Sequence, residues 1–502
     1  MNKSFIPSLF RGVRKIRLPL VASGWSYFFI AVFILIDISF SFLQYYHMPL
    51  DGDMAAVIVP FEGFKKMLSD PLGIQATFYH EVYQAPNRFF SHRLMMDYFR
   101  LVPFWFQHFT DPVKSLYLAC AFIKTFVQCL LLYLLAAAIT GRRNPLHKEM
   151  MLSFFFLTPF FQGYGFYDVM GILDKAVTYV FFYALPFVFV LLLMLPFFRQ
   201  YFHDDLVRWT SLRIIFSLLL IIVVSFSGPL NTGVILVSSL LLFVCRIKKD
   251  VKLPWNKKKD NGNELQNASG NSSLIPLFIM ATAVLFSLYS LYVNRYNTEN
   301  MVAELSPADR YLRMIKGLYV ILTMKSAWLF IFLWLIINYL ILKKHLNHEK
   351  AVKNIKFLRG VILFSVVYLA LLPLGGYRSY RPYVIRYDTF LPVTLSLLIA
   401  MGSSSLFILN HLTFSLKKWY LAGTIVLLVF FSQTDSAYYR YSDCEREALY
   451  TLSKSKNPIV EMEQNCCILS WDKIPTLRAS QLNASLLKLL RITSQEILYY
   501  QK

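Results

Sequence analysis

The feature that most constrains this chain is a series of long apolar runs that recur along its 502 residues. A helix needs about 20 such residues to cross the hydrocarbon core of a bilayer, and about eleven spans can be assigned on that basis. In chain order they are 24–44, 115–139, 150–163, 175–197, 212–228, 230–245, 274–293, 326–343, 357–375, 389–409 and 419–434. The fold class predicted is an all-α polytopic membrane protein.

Composition agrees with this class. Hydrophobic residues make up 56% of the chain and charged residues only 16%, whereas a soluble domain averages about 25% charged residues. The net charge of +22 would indicate nucleic-acid binding in a soluble protein. Here Lys and Arg lie in short loops between apolar runs, and no basic stretch carries a recognisable binding motif. We therefore expect membrane lipids, and no nucleic acid, among the partners.

The distribution of Lys and Arg also predicts the orientation. They are concentrated in the N-terminal tail and in alternate loops, which all fall on one side if the spans simply alternate, and the positive-inside rule makes that side the cytoplasm. The N-terminus is then cytoplasmic, while the first long loop (residues 45–114) and the C-terminal segment lie outside. The short span 150–163 and the spans on either side of Pro229 are the weakest part of this count.

Four regions follow from the order of the spans. They are an N-terminal membrane module (1–247), a low-complexity cytoplasmic linker (248–273), a C-terminal membrane module (274–434) and a small outer cap (435–502), in which 475–500 reads as an amphipathic helix. The cap contains Cys444, Cys466 and Cys467. On the oxidising side of the membrane, Cys444 can form a disulfide with either member of the adjacent pair.

The first long loop has about 70 residues, and ordered loops of that length are more often functional than idle. Two apolar stripes at helical spacing predict two amphipathic helices that lie in the membrane interface: Phe61, Phe64, Met67 and Leu68, then Leu94, Tyr98, Leu101 and Val102. Just before the second stripe lies a basic patch, His92-Arg93. This loop is the first place to look for a functional site.

An acidic pair, Asp51 and Asp53, opens this loop directly after the first span. Carboxylates at a membrane boundary are costly to bury and chemically useful, and one of them can accept a proton from a hydroxyl group. The alternative is that the pair only caps the helix that follows. Farther along, Lys124 and Asp174 lie near span ends, where they either line a cavity or reach water.

A basic and aromatic cluster precedes the tenth span. The segment Tyr377–Tyr387 contains Arg378, Arg381 and Arg386 together with four tyrosines. It runs against the orientation rule, because Lys and Arg are depleted outside. Arginine forms two-point hydrogen bonds to phosphate, so the cluster is a candidate phosphate site. The alternative is that these side chains snorkel to the interface without a ligand.

These features resemble the type C glycosyltransferase superfamily (GT-C), whose members are integral-membrane enzymes that use polyprenyl-phosphate-linked sugars. In that superfamily the first outer loop carries an Asp-x-Asp type of motif, which Asp51-Gly52-Asp53 matches. The second outer loop often adds a carboxylate, for which Asp168 is the candidate. An Arg-Tyr pair precedes a proline-containing span in many members, as Arg386-Tyr387 precedes Pro392 here.

The resemblance implies inverting transfer of a sugar from a polyprenyl-phosphate donor to an envelope glycan or lipid, at the outer face of a bacterial inner membrane. Asp51 or Asp53 would be the catalytic base. The implied substrate-binding residues are Asp168, His92, Arg93, Arg378, Arg381, Arg386 and Tyr387. The sequence identifies no cofactor and leaves open whether a divalent metal assists. Rival hypotheses are a polymerase or ligase of lipid-linked polysaccharide, and a lipid-linked-sugar flippase or transporter, which would carry charges deep in many spans.

Overall fold

The computed structural model describes residues 24–164, 170–205, 207–251, 274–301, 305–345, 347–375 and 381–502, and these are mostly helical. The α-helices, numbered here in chain order, are α1 Gly24–Tyr46, α2 Met54–Ile58, α3 Glu62–Ser69, α4 Ile74–Tyr79, α5 Phe89–Phe99, α6 Val102–Phe106, α7 Pro112–Thr140, α8 Lys148–Leu157, α9 Val177–Phe202, α10 Ser211–Ser225, α11 Pro229–Val251, α12 Leu274–Val293, α13 Thr298–Met301, α14 Pro307–Thr323, α15 Ala327–Lys344, α16 Glu349–Leu371, α17 Tyr387–His411, α18 Phe414–Gln433, α19 Asp443–Lys454 and α20 Gln481–Leu489. Short 3₁₀ turns cover Thr158–Phe160, Asn294–Tyr296, Leu372–Gly375 and Leu477–Ser480. Two strands, β1 Ile459–Met462 and β2 Leu498–Gln501, complete the described elements.

Eight described helices are long and apolar enough to cross a membrane: α1, α7, α9, α12, α15, α16, α17 and α18. A helix suits this role because all of its backbone polar groups bond within the segment. The other three predicted spans correspond to the shorter helix α8 and to α10 and α11, whose apolar parts cover Ser211–Ser225 and Pro229–Val244. The chain is therefore a helical multi-pass membrane protein, and the count of eleven spans stays a prediction.

Helix α9 does not begin as a regular α-helix. Its first residues, Val177–Tyr179, are followed by a π-helical turn over Val180–Ala184 before the helix continues from Leu185. Such turns occur mostly as single insertions and are frequent at functional sites. Tyr183 lies within this π turn, and Tyr179 directly precedes it.

The first long loop contains five short helices. Helix α3 has the predicted face, with Met67 buried and Lys65 and Lys66 exposed. The second predicted face is wrong, because α5 buries His92, Met95 and Phe99, whereas Leu101 of the predicted stripe is 70% exposed. The buried face of α5 is set by packing on α2 and on the π turn of α9, which the local periodicity does not contain.

The C-terminal cap (residues 435–502) combines helices with a small sheet. Strands β1 and β2 are parallel and pair Ile459 with Leu498. The predicted amphipathic helix is correct for α20 but wrong at its end, where the chain forms β2 and buries Tyr499. A disulfide joins Cys444 to Cys466, which resolves the choice that the sequence left open.

Glu445 of α19 connects this cap to the membrane domain. Its carboxylate is buried, and Oε2 accepts hydrogen bonds from Leu50 N and Tyr117 Oη, both at 2.8 Å. The second oxygen, Oε1, accepts a hydrogen bond from Leu469 N at 2.9 Å. Burial raises the pKa of Glu445 to about 7, although these hydrogen bonds oppose the rise. One side chain therefore joins the first long loop, α7 and the loop that follows β1.

We predict that Glu445→Gln loosens the cap. The amide would present an N–H group to a backbone N–H or to Tyr117, and loss of one such buried hydrogen bond costs about 1–3 kcal/mol of unfolding free energy. The measurement is the thermal midpoint together with protease sensitivity of residues 435–502 in detergent. Glu447→Gln, an exposed change on the same helix, is the control. Equal midpoints for both variants would contradict the role of Glu445.

Candidate functional site

Asp51, the first carboxylate of the acidic pair, is buried and fully hydrogen-bonded. Its Oδ1 accepts hydrogen bonds from Thr178 Oγ1 at 2.7 Å and Asp53 N at 3.1 Å, and its Oδ2 accepts one from Thr178 N at 3.0 Å. Thr178 lies in the first turn of α9, so Asp51 acts as a cap for a helix far along the chain. Burial raises the pKa of Asp51, and the hydrogen bonds from Thr178 oppose this rise. Asp51 therefore holds the first long loop against α9.

Asp53 has a different environment. It is half-buried, and its carboxylate accepts no hydrogen bond from the described part of the chain. Its charge acts on the hydroxyl group of Tyr179, which also experiences the charges of Arg386 and Arg381. The ring of Tyr179 stacks near Trp471 of the cap, with 5.9 Å between ring centroids. Asp53 thus interacts electrostatically with a tyrosine that stacks on the cap and that is also influenced by two arginines.

Arg386 lies directly before α17 and is held from three directions. Its Nη2 pairs with Asp388 and lies 3.4 Å from Tyr183 Oη, and its guanidinium carbon lies 5.5 Å from the centre of the Tyr179 ring. The side chain is 20% exposed. Its buried Nε donates to no acceptor within the residues that the structure describes. One strong donor is therefore available for an anionic group.

Lys124 and Asp174 are buried near the acidic pair. Lys124 Nζ donates to the carbonyl oxygen of Lys175 and lies 3.3 Å from Met48 Sδ, while Asp174 Oδ1 accepts a hydrogen bond from Ala176 N at 2.8 Å. Electrostatic interactions connect Lys124 with both Asp51 and Asp174. Of the two readings left open by the sequence, access to bulk water is wrong, because both side chains are buried.

His92 and Arg93, which form the basic patch of α5, both contact neighbouring protein groups. His92 is buried between the rings of Phe64 and Phe182, each 4.6 Å away between centroids, and its Nδ1 lies 3.0 Å from Arg88 O. Burial lowers the pKa of His92 to about 4, so the imidazole is neutral at physiological pH. Arg93 is exposed and pairs with Asp97 at 2.7 Å. The contacts of these two residues do not include the acidic pair or Arg386.

The remaining predicted residues divide into two groups. Asp168 and Arg378 lie outside the described residues. Arg381 is half-buried and acts electrostatically on Tyr179. Tyr387 begins α17 and packs closely against Gly171, where an added Cβ would lie 2.4 Å from Tyr387 Cβ.

The sequence reasoning did not identify Tyr179, Tyr183 or Trp471. The two tyrosines lie within an apolar run and look like packing residues, although the π turn, which follows Tyr179 and contains Tyr183, is a structural signal of function. Trp471 lies in the cap, far from Asp53 in the sequence. No local pattern connects the two positions, so only the three-dimensional structure brings them together.

The two carboxylates of the acidic pair offer a metal different environments. Both oxygens of Asp51 accept hydrogen bonds from Thr178, whereas the carboxylate of Asp53 accepts none from the described residues. Among the described residues, no group of three or more His, Cys, Asp or Glu side chains is placed to hold a metal ion.

Gly52 allows the cap to approach the acidic pair. A Cβ at this position would lie 2.7 Å from both Trp471 Cδ1 and Trp471 N. We predict that Gly52→Ala displaces the 463–475 segment, because backbone as well as side chain must move. Hydrogen exchange of that segment should then be faster than in the wild-type protein. Gly360→Ala, where an added Cβ meets nothing within 4 Å, is the control, and unchanged exchange in Gly52→Ala would contradict the close packing.

The comparisons with known proteins add no relative to this picture. No family model matches the chain, and no curated protein or solved structure is significantly similar to it. The site is therefore interpreted from its own geometry.

Proposed function

We propose that this chain is an inverting glycosyltransferase of the GT-C type, which moves a sugar from a polyprenyl-phosphate donor to an envelope glycan or lipid. One observation carries the proposal. Asp53, whose carboxylate accepts no hydrogen bond from the described residues, and Arg386, whose buried Nε has no acceptor among them, both act electrostatically on the hydroxyl group of Tyr179. The guanidinium carbon of Arg386 lies 5.5 Å from the centre of the Tyr179 ring. Arg386 directly precedes the long apolar helix α17, and Asp53 lies in the loop that follows α1, so we place a lipid phosphate and a polar acceptor here.

The reaction assigns one role to each charge. As the acceptor oxygen bonds to the anomeric carbon, Asp53 takes the hydroxyl proton. The bond between the anomeric carbon and the phosphate oxygen breaks, and polyprenyl phosphate leaves with the electron pair. Arg386, joined by Arg381 and Arg378, stabilises the charge on that leaving group. Asp388 holds the guanidinium of Arg386 in place.

The two aspartates have different roles in this proposal. Asp51 is occupied by Thr178 and Asp53 N, so it positions the loop, and Asp53 is the base. Asp168 and Tyr387 remain candidate substrate contacts. His92 and Arg93 have a weaker case, because His92 is enclosed by the rings of Phe64 and Phe182 and Arg93 forms a surface ion pair with Asp97.

The proposed location is a bacterial inner membrane, with the N-terminus in the cytoplasm and the cap in the periplasm. Loops predicted to share a side do contact each other. His203 Nε2 lies 2.7 Å from Ala138 O, and Lys353 pairs with Asp204. On the other side, Gln107 of the first long loop donates to Leu490 O of the cap at 2.8 Å. These contacts support alternating spans.

The two rival functions differ in testable ways. A polysaccharide polymerase or ligase would use a donor that carries a glycan chain, whereas the proposed enzyme uses a single lipid-linked sugar. A flippase needs charged groups along the transport path. Lys124 is buried within α7, but its Nζ donates a hydrogen bond to the carbonyl oxygen of Lys175 in the loop before α9. We therefore assign this charge to the candidate site and not to a transport path.

We predict that Asp53→Asn lowers transfer by about 10²–10⁴-fold, the usual effect of losing a general base. Its thermal midpoint should stay near that of the wild type, because its carboxylate accepts no described hydrogen bond. Asp51→Asn should instead lower the midpoint, since an amide N–H would face Thr178. The assay is turnover with radiolabelled polyprenyl-phosphate sugars.

The control is Asp97→Asn, which removes an exposed carboxylate of the same loop. If Asp53→Asn keeps the wild-type rate, Asp53 is not the base.

We also predict that Arg386→Lys raises the donor KM, because an ammonium group keeps the charge but loses the planar two-point fork. The donor-concentration dependence of transfer is the measurement, with thermal stability recorded in parallel. Arg142→Lys, an exposed arginine paired with Glu149, is the matched control. Unchanged donor kinetics in Arg386→Lys would return Arg386 to an interfacial role without a ligand.

A further inference from the structure

We propose that Trp471 and Tyr179 form an aromatic platform that binds a pyranose ring of the acceptor beside Asp53. The acceptor role rests on the function proposed above, whereas binding of a sugar ring to the platform does not. The proposal assigns a substrate class to the C-terminal cap: a glycan or glycolipid that presents a pyranose at the membrane surface.

Tyr179 stacks against the indole of Trp471. Their centroids lie 5.9 Å apart and their planes differ by 29°. Trp471 is 51% exposed, so part of the indole remains open. Its Cδ1 lies 2.7 Å from the position that a Cβ on Gly52 would occupy, and Gly52 separates the two aspartates in the sequence. A ring that stacks on the open part of this indole therefore lies close to the backbone of the acidic pair.

The loop that carries Trp471 is held by a disulfide and by buried hydrogen bonds. The exposure of the indole is therefore not the result of a loosely packed loop. The disulfide Cys444–Cys466 closes the loop at one end. Leu469 is buried, and its N–H donates to Glu445 Oε1 at 2.9 Å. Asn483 Nδ2 donates to Leu469 O at 3.1 Å. A large aromatic side chain left half-exposed on so constrained a loop is well prepared to bind a ligand without a further ordering cost.

The chemistry of the surroundings selects a sugar over a purely apolar ligand. A pyranose has an apolar C–H face that stacks on an aromatic ring, and hydroxyl groups at its edge that need polar partners. The guanidinium carbon of Arg386 lies 5.5 Å from the centre of the Tyr179 ring, and the charges of Asp53 and Arg381 also act on Tyr179, so polar partners are available near the platform. Trp105 in α6 is similarly exposed at 56%, but its ring contacts are Phe106 and Phe109, an environment suited to lipid.

The binding test uses the purified full chain in detergent and two soluble probes, maltotetraose and chitotetraose. Saturation-transfer NMR should show contact from the protein to the axial protons of the sugars. Trp471→Ala should abolish that contact, Trp471→Phe should retain most of it, and Trp105→Ala should leave it unchanged. Thermal midpoints of all variants verify folding. Contact that persists in Trp471→Ala, or no contact with either sugar in the wild type, overturns the platform.

A kinetic test connects the platform to transfer. Trp471→Ala should raise the acceptor KM about tenfold, in line with the loss of one aromatic stacking interaction, and leave the donor KM unchanged. If sugars bind at Trp471 but no polyprenyl-phosphate sugar is ever transferred, the platform stands and the proposed function fails. If transfer occurs and Trp471→Ala keeps both the acceptor KM and the sugar contact of the wild type, the function stands and the platform fails.

Discussion

The buried carboxylate of Glu445 is the interaction on which the rest of the site depends. It accepts hydrogen bonds from Leu50, Tyr117 and Leu469, so three segments that are distant in sequence meet at one acidic side chain. Burying a carboxylate is costly unless its hydrogen bonds are satisfied. The arrangement is therefore specific: the cap can dock only where the two donors outside it, Leu50 N and Tyr117 Oη, converge on Glu445.

Asp51, which directly follows Leu50, is a second buried carboxylate whose hydrogen bonds are satisfied by distant parts of the chain. Glu445 fixes the backbone at Leu50, and Asp51 fixes the start of α9 through Thr178. With both ends of this short stretch held by buried hydrogen bonds, Gly52 and Asp53 present their surface to Tyr179 and Trp471. Within the described residues, Asp53 is thus the member of the acidic pair whose carboxylate accepts no hydrogen bond, which is why we propose it as the base.

The sequence predicts the membrane class and most helix positions, because apolar runs of span length depend only on neighbouring residues. It also selects the acidic pair and Arg386 as candidates by residue type. It cannot distinguish Asp51 from Asp53, since Thr178, which separates their roles, is 127 residues away from Asp51. It misassigns the buried face of α5 and the end of the cap for the same physical reason: both are decided by contacts with other elements.

The 395 residues that separate Leu50 from Glu445 also affect how the protein is made. Ribosomes add about 5–20 residues per second, so the first long loop exists for about 20–80 s before α19 is synthesised. Throughout that time the Leu50 amide lacks its acceptor, and the acidic pair has no contact with the cap. The cap is therefore synthesised long after the loop that it contacts, and a nascent chain halted after α18 would contain the acidic pair without the cap that packs on it.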